Sequence, residues 1–150
     1  MSGRRARRRA SVTTTGGIEV APRCELADDL VSRTVGLLGR KGLEPGQGLL
    51  ISRTGSVHMF FMRFAIDVIF VGKARTIVKI VPNLRPWRIA MALRAKSALE
   101  LPAGSAATLG LEPGMVLVVG ELGWPLLDDG RPSNSLRNTK KLLVCRSVAR

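Results

Sequence analysis

The sequence predicts a mainly β fold, an antiparallel β-sandwich or barrel with one or two short helices. Short apolar stretches recur at close spacing, Gly and Pro punctuate them, and only two segments carry helix signals. The chain has 150 residues and is 45% hydrophobic, enough for one such core with tails. Three regions are expected: a disordered basic arm over 1–17, a β-domain over 18–119, and a basic extension over 120–150, loosely docked or disordered.

Taken in order, Ile18–Leu26 has apolar content for a first strand, and Pro22 makes it an edge or bent one. Asp28 and Asp29 precede Leu30, Val31, Val35 and Leu38, whose spacing gives one apolar helix face. The aspartates suit the helix start, Gly39 the position after its end, and Arg40 and Lys41 its negative pole. Glu44-Pro45-Gly46-Gln47 is a type II turn, with Pro at the second and Gly at the third position.

Strands are expected at Leu49–Ser52, Val57–Met62, Ile66–Val71 and Thr76–Val81, the last pair joined by Gly72-Lys73-Ala74-Arg75 and ended by Pro82. Weaker strands follow at Ile89–Leu93 and Ala98–Leu101. Ser105 suits the cap of a short helix over Ala106–Leu109, closed by Gly110. Met115–Val119 is an unbroken apolar run, the pattern of a central strand.

Net charge is +13, and the tails carry much of it: +5 over residues 1–23, +5 over 24–119 and +3 over 120–150. Such a balance favours polyanionic partners. Arg4, Arg5, Arg7, Arg8 and Arg9 are the candidates for non-specific nucleic-acid contact. No aromatic residue interleaves with them to stack on bases, so a solubilising extension is the plainer reading.

No apolar run reaches the length of a transmembrane helix, and the N-terminus lacks the apolar stretch of a secretory signal, so a cytoplasmic location is expected. Two cysteines and one histidine match no disulfide framework or metal spacing, so neither metal nor cofactor is expected. No Gly-x-Ser-x-Gly elbow and no Walker loop occur. The sequence does not fix an oligomeric state.

Recognition comes from Arg33-Thr34-Val35-Gly36-Leu37-Leu38-Gly39-Arg40, Gly48-Leu49-Leu50-Ile51, the run Ser56 to Phe70, Leu84-Arg85-Pro86-Trp87 and Leu99-Glu100-Leu101-Pro102-Ala103-Gly104. Together, over about Cys24 to Val119, they resemble the "domain of unknown function 192" family of bacteria and archaea. The resemblance implies a β-sandwich of jelly-roll type and no established reaction. Met59, Phe61, Ala65 and Met115 stand where the family usually has other residues. If the usual residues line a pocket, the pocket here is greasier and tighter.

Asp67 lies within Ala65-Ile66-Asp67-Val68-Ile69-Phe70, where an unpartnered carboxylate is costly. Arg33 is its first candidate partner and Arg63 its second; the family pattern carries an arginine and an aspartate at the positions of Arg33 and Asp67. An ion pair is the structural reading. The functional alternative is a polar pocket for a small anionic or sugar-like ligand, edged by Arg33, His58, Arg63, Asp67 and Glu100. In 58–62 both strand faces are apolar, so Phe60 and Phe61 are expected in the core rather than on an aromatic platform for bases. Ser56, His58 and Asp67 are the only hydrolase set the residues suggest. The expected function is a non-catalytic binding or accessory module, with a nucleic-acid protein and a hydrolase as alternatives.

Overall fold

The apolar runs pair into nine strands within residues 8–27, 37 and 40–121, the part of the chain that the computed structural model describes. They are β1 (Arg9–Thr14), β2 (Glu19–Ala27), β3 (Gln47–Ser52), β4 (Ser56–His58), β5 (Ile66–Val71), β6 (Ile77–Leu84), β7 (Ile89–Met91), β8 (Ser97–Pro102) and β9 (Leu117–Glu121). Among the described residues one short α-helix, α1, spans Ser105–Thr108. Seven strands form a sheet in the order β6-β5-β8-β3-β2-β1-β9, and β4 and β7 form a separate pair. The large sheet curls until its two edges meet at a single bridge, Thr76↔Val116. It is a sandwich-like fold, not a closed barrel.

The curl creates two apolar layers. β5 is buried along its whole length, and its side chains alternate between them. Ile66, Val68 and Phe70 join Leu49, Ile51, Val57 and Ala90 in the layer under the β4–β7 pair. Ile69 and Val71 join Val12, Val20, Ala21, Cys24, Leu99 and Leu117 inside the curl. Phe70 and Ile69 are fully buried, so β5 is the central wall of both layers.

Two expectations about the sheet need correction. The arm over 1–17 is not wholly disordered: Arg9–Thr14 is β1, paired with β2 and β9. Ala10, Val12 and Thr14 are buried in strict alternation, and β1 covers what would be the bare edges of two apolar strands. The sheet is mixed rather than antiparallel, because β2 and β3 run parallel. Residues 28–46 between them are long enough for the crossover that parallel pairing needs. The helix expected from Asp28 to Leu38 lies outside the described residues except for Leu37, which is buried in the core.

Two of the three strand prolines, Pro22 and Pro82, sit at register breaks. Pro22 is in β2, an interior strand rather than an edge, where Ala10↔Cys24 and Val12↔Ala21 leave one extra residue on β2. Pro82 does not end β6. That strand is an edge, and it bulges between the pairs Val68↔Val81 and Ile66↔Leu84. A bulge or an edge is where a missing N–H costs little.

Candidate functional site

Asp67 is fully buried, as its apolar neighbours require, and its partners among the described residues are backbone N–H groups. Its Oδ1 accepts the backbone N–H groups of Asn83 (2.8 Å) and Gly104 (3.1 Å), and its Oδ2 that of Ala106 (2.8 Å). Asp67 therefore caps α1 from across the sheet. The cap position is held by Gly104, in a left-handed turn with φ 86°, and not by the expected Ser105, which is the first residue of the helix. Three N–H donors replace the solvation of the carboxylate. Arg33, the expected counter-ion, lies outside the described residues.

The candidate pocket residues are spread over different layers. Asp67 pairs with Leu101 and so faces the inside of the curl, whereas Glu100 pairs with Val68 and faces the opposite layer. Glu100 is buried. His58 and Ser56 lie on the exposed outer face of β4, and Arg63 is exposed in the loop before β5. Ser56 and His58 share a face, but Asp67 has both carboxylate oxygens engaged by backbone N–H groups in another layer. The hydrogen-bond relay that a hydrolase triad requires is not assembled.

Phe60 and Phe61 are not in the core: they are 37% and 71% exposed. The chain leaves β4 at His58 and turns over Met59–Met62, with the Met62 N–H donating to the Met59 carbonyl (3.3 Å). That turn buries the two methionines and pushes the two rings outward. The Trp87 N–H also donates to the Met59 carbonyl (2.9 Å), and the Met59 N–H to the Arg88 carbonyl (2.8 Å). The loops before β5 and before β7 are thus pinned together. His58 stacks on Phe60 (ring centroids 5.4 Å apart), Phe60 meets Trp87 (6.1 Å) and Trp87 meets Phe61 edge-on (5.0 Å).

A concave site lies at the opposite end of the curl from α1. It is a cavity of about 270 Å³ floored by apolar side chains such as Val71 and Leu117. Arg8, Arg75, Ser52 and Ser97 complete its lining. The strand register explains this grouping: Ser52 pairs with Ser97, and Ser97 with Val71, so the three stand side by side at the strand ends. Arg75 follows β5 in a tight turn and donates to the Val119 carbonyl (3.4 Å), which places its guanidinium at the β9 edge. Arg8 enters from the start of β1. Of these four, only Arg8 was a candidate from the sequence, and for a different partner. The serines gave no signal because strand-end serines are ordinary.

Cys24 is buried inside the curl, and burial pushes its thiol up to about 12. It is an inert packing group.

Residues 11–119 match the family described as Uncharacterized ACR, the domain of unknown function 192. The chain belongs to this family. Its β1 strand falls largely inside the matched stretch, consistent with the start of the domain seen in the fold. Among relatives of this domain, a UPF0127 protein of Pyrococcus abyssi is 36% identical over 97 residues, covering 60% of this chain and 80% of the relative. A UPF0127 protein of Pyrococcus furiosus is 36% identical over 107 residues, covering 69% of this chain and 91% of the relative. Two crystal structures share the fold. A Novosphingobium aromaticivorans protein of unknown function has a TM-score of 0.65 at 30% identity, over 73% of this chain and 83% of that one. A Sinorhizobium meliloti protein provisionally named a transcription regulator has a TM-score of 0.67 at 29% identity, over 76% of this chain and 94% of that one. Among the described residues, no helix is long and apolar enough to cross a membrane.

Proposed function

We propose that this member of the domain of unknown function 192 family is a non-catalytic, cytoplasmic binding module for a small anionic or sugar-like ligand. The observation that carries the reading is the cavity at the open end of the curl. Its apolar floor, two guanidinium groups and two hydroxyls are the usual makings of a ligand site. Arg75 and Arg8 would bind the anionic group, the arginine fork matching carboxylate or phosphate oxygens. Ser52 and Ser97 would accept or donate to ligand hydroxyls. Asp67 caps α1 in this reading and does not line the site.

The test is thermal denaturation against inorganic phosphate, glucose 6-phosphate and glucose. A ligand present at 100 times its Kd stabilises the fold by about 2.7 kcal/mol. Stabilisation by an anionic probe that disappears in Arg75→Ala supports the reading. Equal stabilisation of Arg75→Ala, or none with any probe, overturns it.

A second reading has one favouring observation. The Sinorhizobium meliloti relative is provisionally named a transcription regulator, and this chain is strongly basic. Nucleic-acid contact through Arg4, Arg5 and Arg7, with Arg8 and Arg9 beside them, would appear as DNA retention that falls with salt. Retention unchanged after removal of residues 1–7 defeats it.

A further inference from the structure

Six large apolar side chains stand exposed in two segments, 60–61 and 87–93: Phe60 (37%), Phe61 (71%), Trp87 (60%), Ile89 (56%), Met91 (57%) and Leu93 (98%). Five of them, Phe60, Phe61, Trp87, Ile89 and Met91, form one row. Phe61 meets Trp87, Trp87 meets Phe60, and Phe60 stacks on His58. His58 pairs with Ile89 across the β4–β7 ladder, and Met91 follows two residues on along the same face. Leu93 tips the next turn. A continuous apolar row of this kind marks an interaction surface.

Two further observations say what it meets. Between residues 53 and 96 the chain has nine Lys and Arg but one acid, Asp67, which is buried. Arg63, Arg85, Arg88 and Arg94 are exposed, each within two residues in sequence of one of these six side chains. The surface is therefore apolar in the middle, cationic at its rim, and free of exposed acid within that stretch. In addition, Phe61 (φ 63°) and Trp87 (φ 64°) hold left-handed backbone, which bulky residues adopt rarely. Strain of this kind gathers where a surface has work to do.

We propose that this face docks on an anionic lipid bilayer. Phe60, Phe61, Trp87 and Leu93 enter the interfacial layer, where amphipathic aromatic rings are favoured. Arg63, Arg85 and Arg88 reach the headgroup phosphates. Charge decides against the other occupants. A second copy docked by the same face would set one cationic rim against another. Single-stranded nucleic acid would suit the charge, but three of the six side chains are not aromatic, and the rings contact one another. The inference is independent of the ligand cavity, whose lining residues lie elsewhere.

The experiment uses the full chain with Trp124→Phe, so that Trp87 is its one tryptophan. It is mixed with phosphatidylcholine vesicles, or with vesicles containing about 30% phosphatidylglycerol. The expected result is co-sedimentation with the anionic vesicles alone, weakened by salt. Trp87 emission shifts to the blue and is quenched by brominated acyl chains. Arg85→Gln with Arg88→Gln weakens binding by roughly 30-fold. Phe61→Ser with Leu93→Ser abolishes the blue shift while the melting temperature is unchanged. Sedimentation without any change in Trp87 emission overturns the proposal, because the tails alone then hold the vesicle. So does Trp87 emission that answers to a single-stranded oligonucleotide and not to vesicles. A dimer lost in the Phe61→Ser, Leu93→Ser protein, with no vesicle binding by the parent, overturns it in favour of self-association.

Discussion

Replacing Asp67 with Asn tests the assignment of that carboxylate as a remote helix cap. The substitution preserves size and removes one acceptor. The amide oxygen can still face Asn83 and Gly104, whose N–H groups share Oδ1 at 2.8 and 3.1 Å. The amide nitrogen then faces the Ala106 N–H, a donor against a donor, where the carboxylate had accepted at 2.8 Å. Leaving a buried donor unsatisfied costs about 1–3 kcal/mol, and the two remaining bonds lose their charge assistance. A total of about 3 kcal/mol is expected, or roughly a 10 °C fall in melting temperature for a domain of this size.

Two readouts separate this account from an ion pair. Hydrogen exchange of the Ala106 amide should lose its protection first, because that donor is the one stranded. A double-mutant cycle with Arg33→Met should show coupling below about 0.5 kcal/mol if the N–H groups carry the stabilisation. A melting temperature matching that of the exposed control Glu112→Gln would refute the reasoning. Coupling of several kcal/mol to Arg33 would move the stabilisation to a salt bridge.

Three other outcomes follow from the fold. In a Cys145→Ser background, Cys24 should resist Ellman's reagent at pH 8 until the protein unfolds, since burial raises its thiol to about 12. The unfolded chain releases that proton first as pH rises past about 8.5, so stability falls between there and 12, and Cys24→Ala should flatten the fall seen by denaturant titration. Gly72→Ala should cost about 1–3 kcal/mol in the same assay, because the new Cβ would lie 2.7 Å from Val78 Cγ1 and 3.2 Å from the Arg94 carbonyl. Removal of residues 1–7 should leave cooperative melting intact, whereas removal of 1–17 deletes β1 and should abolish it, as followed by circular dichroism.

The strands were legible where apolar residues were dense. Leu49–Ser52 and Ile66–Val71 mark real strands, and Met115–Val119 overlaps β9, which lies at the sheet edge and not at its centre as its apolar run suggested; the Pro45-Gly46 turn forms as its residues dictate, with Gly46 at φ 79°. The first strand was missed because five arginines outweighed a weaker signal. Ala10, Val12 and Thr14 alternate with Ser11 and Thr13, a period of two written in small residues. Small residues suffice because β1 lies between two strands and its ladder bonds do much of the holding. Parallel pairing of β2 and β3 was illegible for a different reason. It depends on where residues 28–46 carry the chain, not on either strand's own sequence.

The site was harder to read, for reasons visible in single residues. Burial of Asp67 follows from its neighbours, but its donors come from residues 16, 37 and 39 positions away, and backbone N–H groups leave no signature in sequence. Phe60 and Phe61 defeated the strand argument because alternation holds only while the chain stays extended. Once β4 ends at His58, a hydrogen-bonded turn sets the pattern, and residues three apart point the same way: Met59 and Met62 go in, and the rings between them go out. The same sequence read as a turn makes the rings a surface. The flanking arginines then change meaning as well, from solvated charges scattered along a chain to the rim of one face. That is why a cluster of side chains with no catalytic signature carries the strongest expectation of a partner outside the chain.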